Sequence, residues 1–142
     1  MKEQNFSNHA RLDPWFHIFV LGVLALNVIA HIVHAYRQPF RFNYWLILVS
    51  IALFVLALKA RTYALKVQDR VITLEERLRL AAILPEALRA RALTLTTDQL
   101  IGLRFASDAE LPPLVEKTLS EKLARKEIKQ AVQNWRADDW RV

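Results

Sequence analysis

Residues 42–84 read FNYWLILVSIALFVLALKARTYALKVQDRVITLEERLRLAAIL and contain neither proline nor glycine. The first part, 42–58, is 17 residues long and almost wholly apolar, which is near the lower limit for a membrane span. The part that follows mixes charged and apolar side chains and consists mostly of good helix formers. This stretch therefore predicts one unbroken helix that begins inside a membrane and continues into water.

An apolar stripe, here called the seam, follows this helix at alternating spacings of four and three residues. A sustained 3.5-residue period is typical of a left-handed coiled coil. With every second member at heptad position a and the others at d, Arg70 falls at g and Glu75 at the next e, the pair that meets between parallel chains. The members are Leu46, Ser50, Leu53, Ala57, Ala60, Ala64, Val67, Val71, Leu74, Leu78 and Ala81, with Ser50, Ala57, Ala64, Val71 and Leu78 at a.

The seam predicts a homo-oligomer. Copies inserted in a membrane with one topology are parallel, and the small residues Ser50, Ala57, Ala60 and Ala64 permit close helix approach in lipid. The alternative is that the seam packs within one chain, against the first span and the chain's own C-terminal helices. The sequence leaves both arrangements open.

A second apolar run precedes the seam helix. Residues 15–36, WFHIFVLGVLALNVIAHIVHAY, would form a helix of about 33 Å, enough to cross a hydrocarbon core of about 30 Å. Pro39 breaks the chain after it, and so short a link predicts an antiparallel hairpin. The expected membrane-interface anchors are Trp15, Tyr36, Trp45, Lys59, Arg61 and Tyr63.

The net charge of +6 is concentrated beside the predicted spans. Residues 59–91 carry eight basic side chains against four acidic ones, and the turn adds Arg37 and Arg41. Basic residues beside a span favour the cytoplasmic side, so both termini are expected in the cytoplasm. Basic residues at this place contact lipid headgroups, and we expect no nucleic-acid partner.

A small helical domain is expected after Pro85. Thr96 with Gln99 and Ser107 with Glu110 fit capping boxes, and the last helix should cover 125–134. The chain is thus predicted to be all-α, with only two glycines and no hairpin dipeptides. Its expected parts are an N-terminal segment (1–14), a transmembrane hairpin (15–63), a coiled-coil-like extension of the second helix (64–84) and the helical domain (85–142).

The histidines are the sharpest candidates for chemistry. Asn27, His31 and His34 form a polar stripe on the first span, and with His17 they could line a polar path or bind a ligand. The alternative is that His17 and His34 sit near the interfaces while Asn27 and His31 bond between helices. His17 and His31 are 14 residues apart, about 21 Å, a spacing that suits two haems. Residues 42–58 lack histidine, so only an oligomer could supply second axial ligands.

Catalytic signatures are absent from the sequence. There is no cysteine and therefore no disulfide or thiolate metal site. No glycine-rich phosphate loop or metal-ligand cluster occurs, and the predicted soluble domain has no histidine. We therefore expect no enzyme, no metal site and no cofactor, with haem as the alternative. At the C-terminus, Trp135, Arg136, Trp140 and Arg141 are expected either to dock on headgroups or the domain core, or to recognise a partner protein.

Several segments resemble a family of small bacterial membrane proteins of unknown function, sometimes labelled transporter permeases. They are NFSNHARLDP (5–14), LKARTYALKVQDRVITLEERLRL (58–80), LRFASDAELPPLVEKTL (103–119) and IKQAVQNWRADDWRV (128–142). The resemblance covers essentially the whole chain. It implies a bacterial inner-membrane setting with two spans, but no activity and no catalytic residues.

Three functions are compatible with these features. The first is a non-enzymatic scaffold that self-associates through the seam in the lipid bilayer. The second is a small oligomeric channel or transporter-accessory subunit, with its path along the first helix. The third is an accessory subunit of a larger complex, in which the seam meets a helix of another membrane protein.

Overall fold

The computed structural model describes residues 5–6 and 13–138, and all regular secondary structure in them is helical. The all-α prediction is confirmed for this part of the chain. A π-helical segment, Trp15–Val20, runs directly into α1. The helices are α1 (Leu21–Arg37), α2 (Arg41–Ile83), α3 (Glu86–Ala92), α4 (Thr97–Leu103), α5 (Leu111–Glu121) and α6 (Arg125–Ala131).

α2 is a single helix of 43 residues. It begins just after Pro39, which cannot continue α1, and it ends just before Pro85. The Asn43 side chain donates a hydrogen bond of 2.6 Å to the Gln38 carbonyl and so ties the start of α2 to the turn. The absence of a breaker between the two prolines explains why the helix is continuous.

Residues 11–65 form one compact unit, described from Asp13 onward, in which α1 and the first half of α2 pack antiparallel. Asn27 on α1 donates a hydrogen bond of 2.9 Å to Ser50 on α2. At the open end of the hairpin the Arg61 guanidinium lies 5.8 Å from the centre of the Phe16 ring. Both helices are long and apolar enough to cross a membrane.

Of the described residues, 5–6 and 66–138 belong to the second unit, in which the short helices pack on one side of the end of α2. α4 and α6 approach closely at Gly102, where a Cβ would lie 3.1 Å from two Ile128 side-chain carbons and 3.3 Å from the Arg125 carbonyl oxygen. The Thr96–Gln99 capping box begins α4, as predicted. The core consists of Leu80, Leu84, Leu88, Ala92, Leu95, Leu100, Leu103, Ala106, Leu111, Leu114, Val115, Ile128 and Val132.

Two local predictions about this unit were wrong. Ser107 and Glu110 do not form a capping box, because the Glu110 carboxylate accepts hydrogen bonds of 2.8 and 3.0 Å from the backbone N–H groups of Gln133 and Asn134. The last helix stops at Ala131 rather than at residue 134. Beyond it the chain is extended: the Arg136 N–H donates to the Phe105 carbonyl, and the Ser107 N–H to the Asn134 carbonyl.

Candidate functional site

The seam between residues 67 and 78 is open to solvent. Its members are Val67, Val71, Leu74 and Leu78, whose exposed fractions are 62%, 49%, 61% and 65%. Ala81, the last member, is also exposed. Four large apolar side chains in one uninterrupted line on a helix make up a surface that soluble monomers seldom present. This part of the seam is the candidate functional site.

The helical domain packs on the opposite side of α2. The buried residues Ile72, Glu76 and Leu80 occupy heptad positions b, f and c, which face away from a and d. The chain's own domain therefore leaves this part of the seam uncovered. Among the described residues, the short helices of the domain lie behind this part of the seam and do not cover it.

In the hairpin, part of the seam is buried within the chain. Ser50 is 2% exposed, accepts the hydrogen bond from Asn27 and donates one of 2.7 Å to the Leu46 carbonyl of its own helix. Leu46 and Ala57 are half-buried, whereas Leu53, Ala60 and Ala64 are exposed. At Ser50 the seam is thus used within one chain, while Leu53, Ala60 and Ala64 stay open.

The two flanks of the open seam carry opposite charge. Arg70 and Arg77 are exposed on the g flank, and Glu75 is exposed on the e flank. Lys66, Arg70 and Arg77 share a surface cavity with Asp69, so this side has a basic excess. Within the described residues neither Arg70 nor Glu75 takes part in an ion pair of its own chain. Both are available to a neighbouring molecule.

An ion-pair network holds the domain on the back of α2. Arg79 donates to Asp108 Oδ1 at 2.6 and 2.9 Å, to Glu76 Oε2 at 3.1 Å and to the Ala106 carbonyl at 2.7 Å. Arg136 lies 3.8 Å from Glu76. Arg79 thereby joins α2 to the loop between α4 and α5, and it fixes the face that the domain covers.

A cavity of about 420 Å³ opens beside this network, between α2 and residues 136–138. Arg104 pairs with Asp138 at 3.1 Å on its far wall. Burial raises the pKa of Glu76 above its ordinary value of 4.5, and the attraction of Arg79 and then Arg136 only partly opposes this. The sequence did not single out Glu76 or Arg79, because charged residues at f and b of a heptad are normally solvated.

The polar residues of the first span do not gather into one group. The Asn27 amide is engaged with Ser50, and the His17 ring donates through Nδ1 to the Asp13 carbonyl at 2.8 Å. His31 is half-buried and His34 is exposed. In the described chain no group of three or more His, Cys, Asp or Glu side chains could hold a metal ion. His9 lies outside the described residues.

The aromatic residues at the ends of the spans are exposed. Trp15, Tyr36, Trp45 and Tyr63 project from the hairpin, as does Lys59, while Arg61 is half-buried beside Phe16. This exposure suits interfacial anchors. At the other end of the chain, Trp135 docks on the domain core with its ring 4.9 Å from that of Phe105. Trp140 and Arg141 lie outside the described residues, as does most of the segment 1–14.

Comparison with known proteins gives a family but no activity. No curated protein and no solved structure matches the chain. The model of a family of unknown function, DUF6526, matches residues 1–142. Since the match spans the full length, the chain belongs to the family of unknown function DUF6526.

Proposed function

We propose that this chain is a non-enzymatic membrane protein that self-associates through the open seam of α2 and acts as a structural or scaffolding assembly. The observation that carries the proposal is the line Val67, Val71, Leu74 and Leu78, which is exposed although every member is apolar. Fully burying one such side chain is worth about 1.5–3 kcal/mol. A molecule that covers these four side chains therefore gains a substantial favourable free energy of binding.

The period of the seam favours a second helix as the covering molecule. Spacing of 3.5 residues keeps a stripe in contact with a partner helix of the same period, and another copy of this chain supplies one. The helical domain is on the opposite side of α2, so this part of the seam is accessible to a second copy. A parallel pair also brings Arg70 beside Glu75 of the other copy.

The setting proposed for this assembly is the bacterial inner membrane, with both termini in the cytoplasm. In the first candidate span, no part of the most apolar 18-residue stretch is buried by the rest of the chain. In α2 only 11% of the corresponding stretch is buried. The core helix of a soluble protein would be mostly buried, so this exposure supports lipid contact. Basic residues Lys59, Arg61, Lys66 and Arg70 after the second span support the cytoplasmic orientation.

Cysteine crosslinking in membranes tests the self-association. The chain has no cysteine, so single variants are free of background. In a parallel dimer each a residue faces its own counterpart, and Val71→Cys and Leu78→Cys should each give a disulfide-linked dimer on mild oxidation. The control is Leu65→Cys, an exposed apolar position of α2 on the side away from the seam.

The outcomes separate the possible partners. Dimers from both seam variants but not from the control support self-association. Monomers throughout, in native membranes and after reconstitution, contradict it. If purification from native membranes instead gives a fixed complex with another membrane protein crosslinked through residue 71, the seam belongs to a foreign helix and the chain is an accessory subunit.

A further inference from the structure

An apolar groove lies beside the last turns of the seam. Its volume is about 160 Å³, and it is formed by the end of α2 and by α3. From α2 it is lined by Arg77, Ala81 and Leu84, and from the end of α3 by Leu93. Leu93 is 70% exposed. Leu93 thus exposes an apolar side chain beside an apolar groove.

The heptad register places the groove on one flank of the seam. Ala81 occupies a d position and belongs to the seam itself, whereas Arg77 and Leu84 occupy g positions. The groove is therefore continuous with the seam. A molecule that covers the seam as far as Ala81 necessarily borders the groove as well.

The same register predicts which residue of the partner helix faces the groove. In a parallel pair each g residue lies beside the e residue five positions further along in the partner. This relation places Arg70 beside Glu75 of the partner subunit. One heptad later it places Arg77 beside Ala82 of the partner subunit. Ala82 is exposed and carries only a methyl group. The partner helix can therefore approach closely at this point.

We infer, on the basis of the self-association proposed above, that the groove is a second contact of the homodimer, in which Leu93 of one copy packs against the Ala82 face of the other. The twofold symmetry of a parallel pair makes this contact twice. It widens the interface from the seam of α2 to the end of α3. The occupant is a second copy of this chain, because continuity with the seam and the g–e relation both assign it.

Crosslinking between two differently tagged copies tests this contact. One copy carries Ala82→Cys and the other Leu93→Cys, and both full-length chains are produced together in membranes and oxidised mildly. A disulfide that joins the two tags can form only between copies. We expect this product, and we expect none when Leu93→Cys is replaced by Glu121→Cys, an exposed position on α5.

The outcomes distinguish this contact from self-association itself. If Val71→Cys crosslinks with itself while the Ala82–Leu93 pair does no better than the Glu121 control, the groove contact is overturned and the seam dimer stands. If neither crosslink forms, both proposals fail.

A binding measurement provides a second test. Leu93→Ser should raise the dimer Kd in reconstituted vesicles about tenfold, because an interface leucine is lost from each copy. Leu93→Met, which keeps the apolar surface, should leave the Kd close to that of the unchanged chain. Since Leu93 is exposed in the single chain, neither substitution should disturb the domain. A Leu93→Ser protein with an unchanged Kd overturns the inference.

Discussion

Leu74 and Glu76 lie two residues apart on α2, and their exposure is the reverse of what is usual for apolar and charged side chains: Leu74 is 61% exposed and Glu76 is 5% exposed. Glu76 is accommodated inside because Arg79 and Arg136 lie beside it. Leu74 belongs to the seam. α2 thus turns toward its own domain a face on which Glu76 lies beside the apolar Ile72 and Leu80, and it leaves the apolar seam exposed, which is the arrangement expected when the seam belongs to an interface.

Replacing Leu74 separates association from folding. Leu74→Ser should raise the dimer Kd about tenfold or more, since an apolar contact is lost from both copies. The free energy of unfolding of the helical domain should change by less than about 0.5 kcal/mol, because the side chain is exposed in the single chain. Energy transfer between labelled copies in vesicles measures the Kd, and Leu65→Ser is the matched control. A large loss of domain stability with an unchanged Kd would place Leu74 in the chain's own core.

The charges beside the seam predict partner choice. Arg70→Glu and Glu75→Arg each place like charges opposite one another in both pairs of a parallel homodimer, and each should weaken it. In a mixed dimer of the two variants both pairs again join opposite charges, one in the original sense and one reversed, so the mixed dimer should exceed its statistical share of one half. Differently tagged copies and co-purification measure that share. A statistical mixture would mean that these residues do not meet between copies.

Glu76 should make the stability of the domain depend on pH. Burial raises the folded-state pKa of Glu76 above 4.5, so the folded state binds its proton more tightly than the unfolded state. This group's contribution to stability is therefore fully present below pH 4.5 and is lost as the pH rises through the folded-state pKa. Glu76→Gln should remove this part of the dependence of the unfolding free energy on pH. Chemical unfolding of the two proteins between pH 4.5 and 8, followed by circular dichroism, measures the difference. Glu121→Gln, at an exposed position, should keep the slope; equal slopes for all three proteins would contradict the prediction.

The hydrogen bond between Asn27 and Ser50 should stabilise the hairpin modestly. Ser50→Ala removes the acceptor and should cost about 0.6–1 kcal/mol, the usual worth of such a bond between membrane helices. Thr62→Ala is the matched control, because the Thr62 hydroxyl bonds only to the Leu58 carbonyl of its own helix. Unfolding of the reconstituted protein by a denaturing detergent measures both. Equal losses would show that the bond between the helices contributes nothing.

The close approach of α4 and α6 should not tolerate a side chain at position 102. Gly102→Val places carbon where Ile128 already lies 3.1 Å away and should destabilise the domain by about 1–3 kcal/mol. Gly22→Val in α1 is the control, since no atom lies within 4 Å of a Cβ there. Thermal unfolding of the domain compares them. An unchanged midpoint for Gly102→Val would require α6 to move away from α4.

Local features were predictable because neighbouring residues alone produce them. The unbroken α2 follows from the absence of proline and glycine between Pro39 and Pro85, and the Thr96–Gln99 cap from side chains three residues apart. The two helices apolar enough to cross a membrane follow from length and composition. The 3.5-residue period likewise needs only the order of residues along one helix.

Tertiary structure decided which faces of α2 the chain's own segments cover. A period shows that a stripe is apolar but not what buries it, so only packing reveals that Ser50 is used inside the hairpin while Leu74 is left open. The position of Glu110 fits a local capping box with Ser107. In the folded chain its carboxylate instead accepts hydrogen bonds from the backbone N–H groups of residues 133 and 134. Glu76 would be solvated on an isolated helix, and in the folded chain it is buried with the distant Arg136 3.8 Å from its carboxylate. Burial and long-range charge pairing are properties of contacts between segments, which residue order along a single helix does not specify.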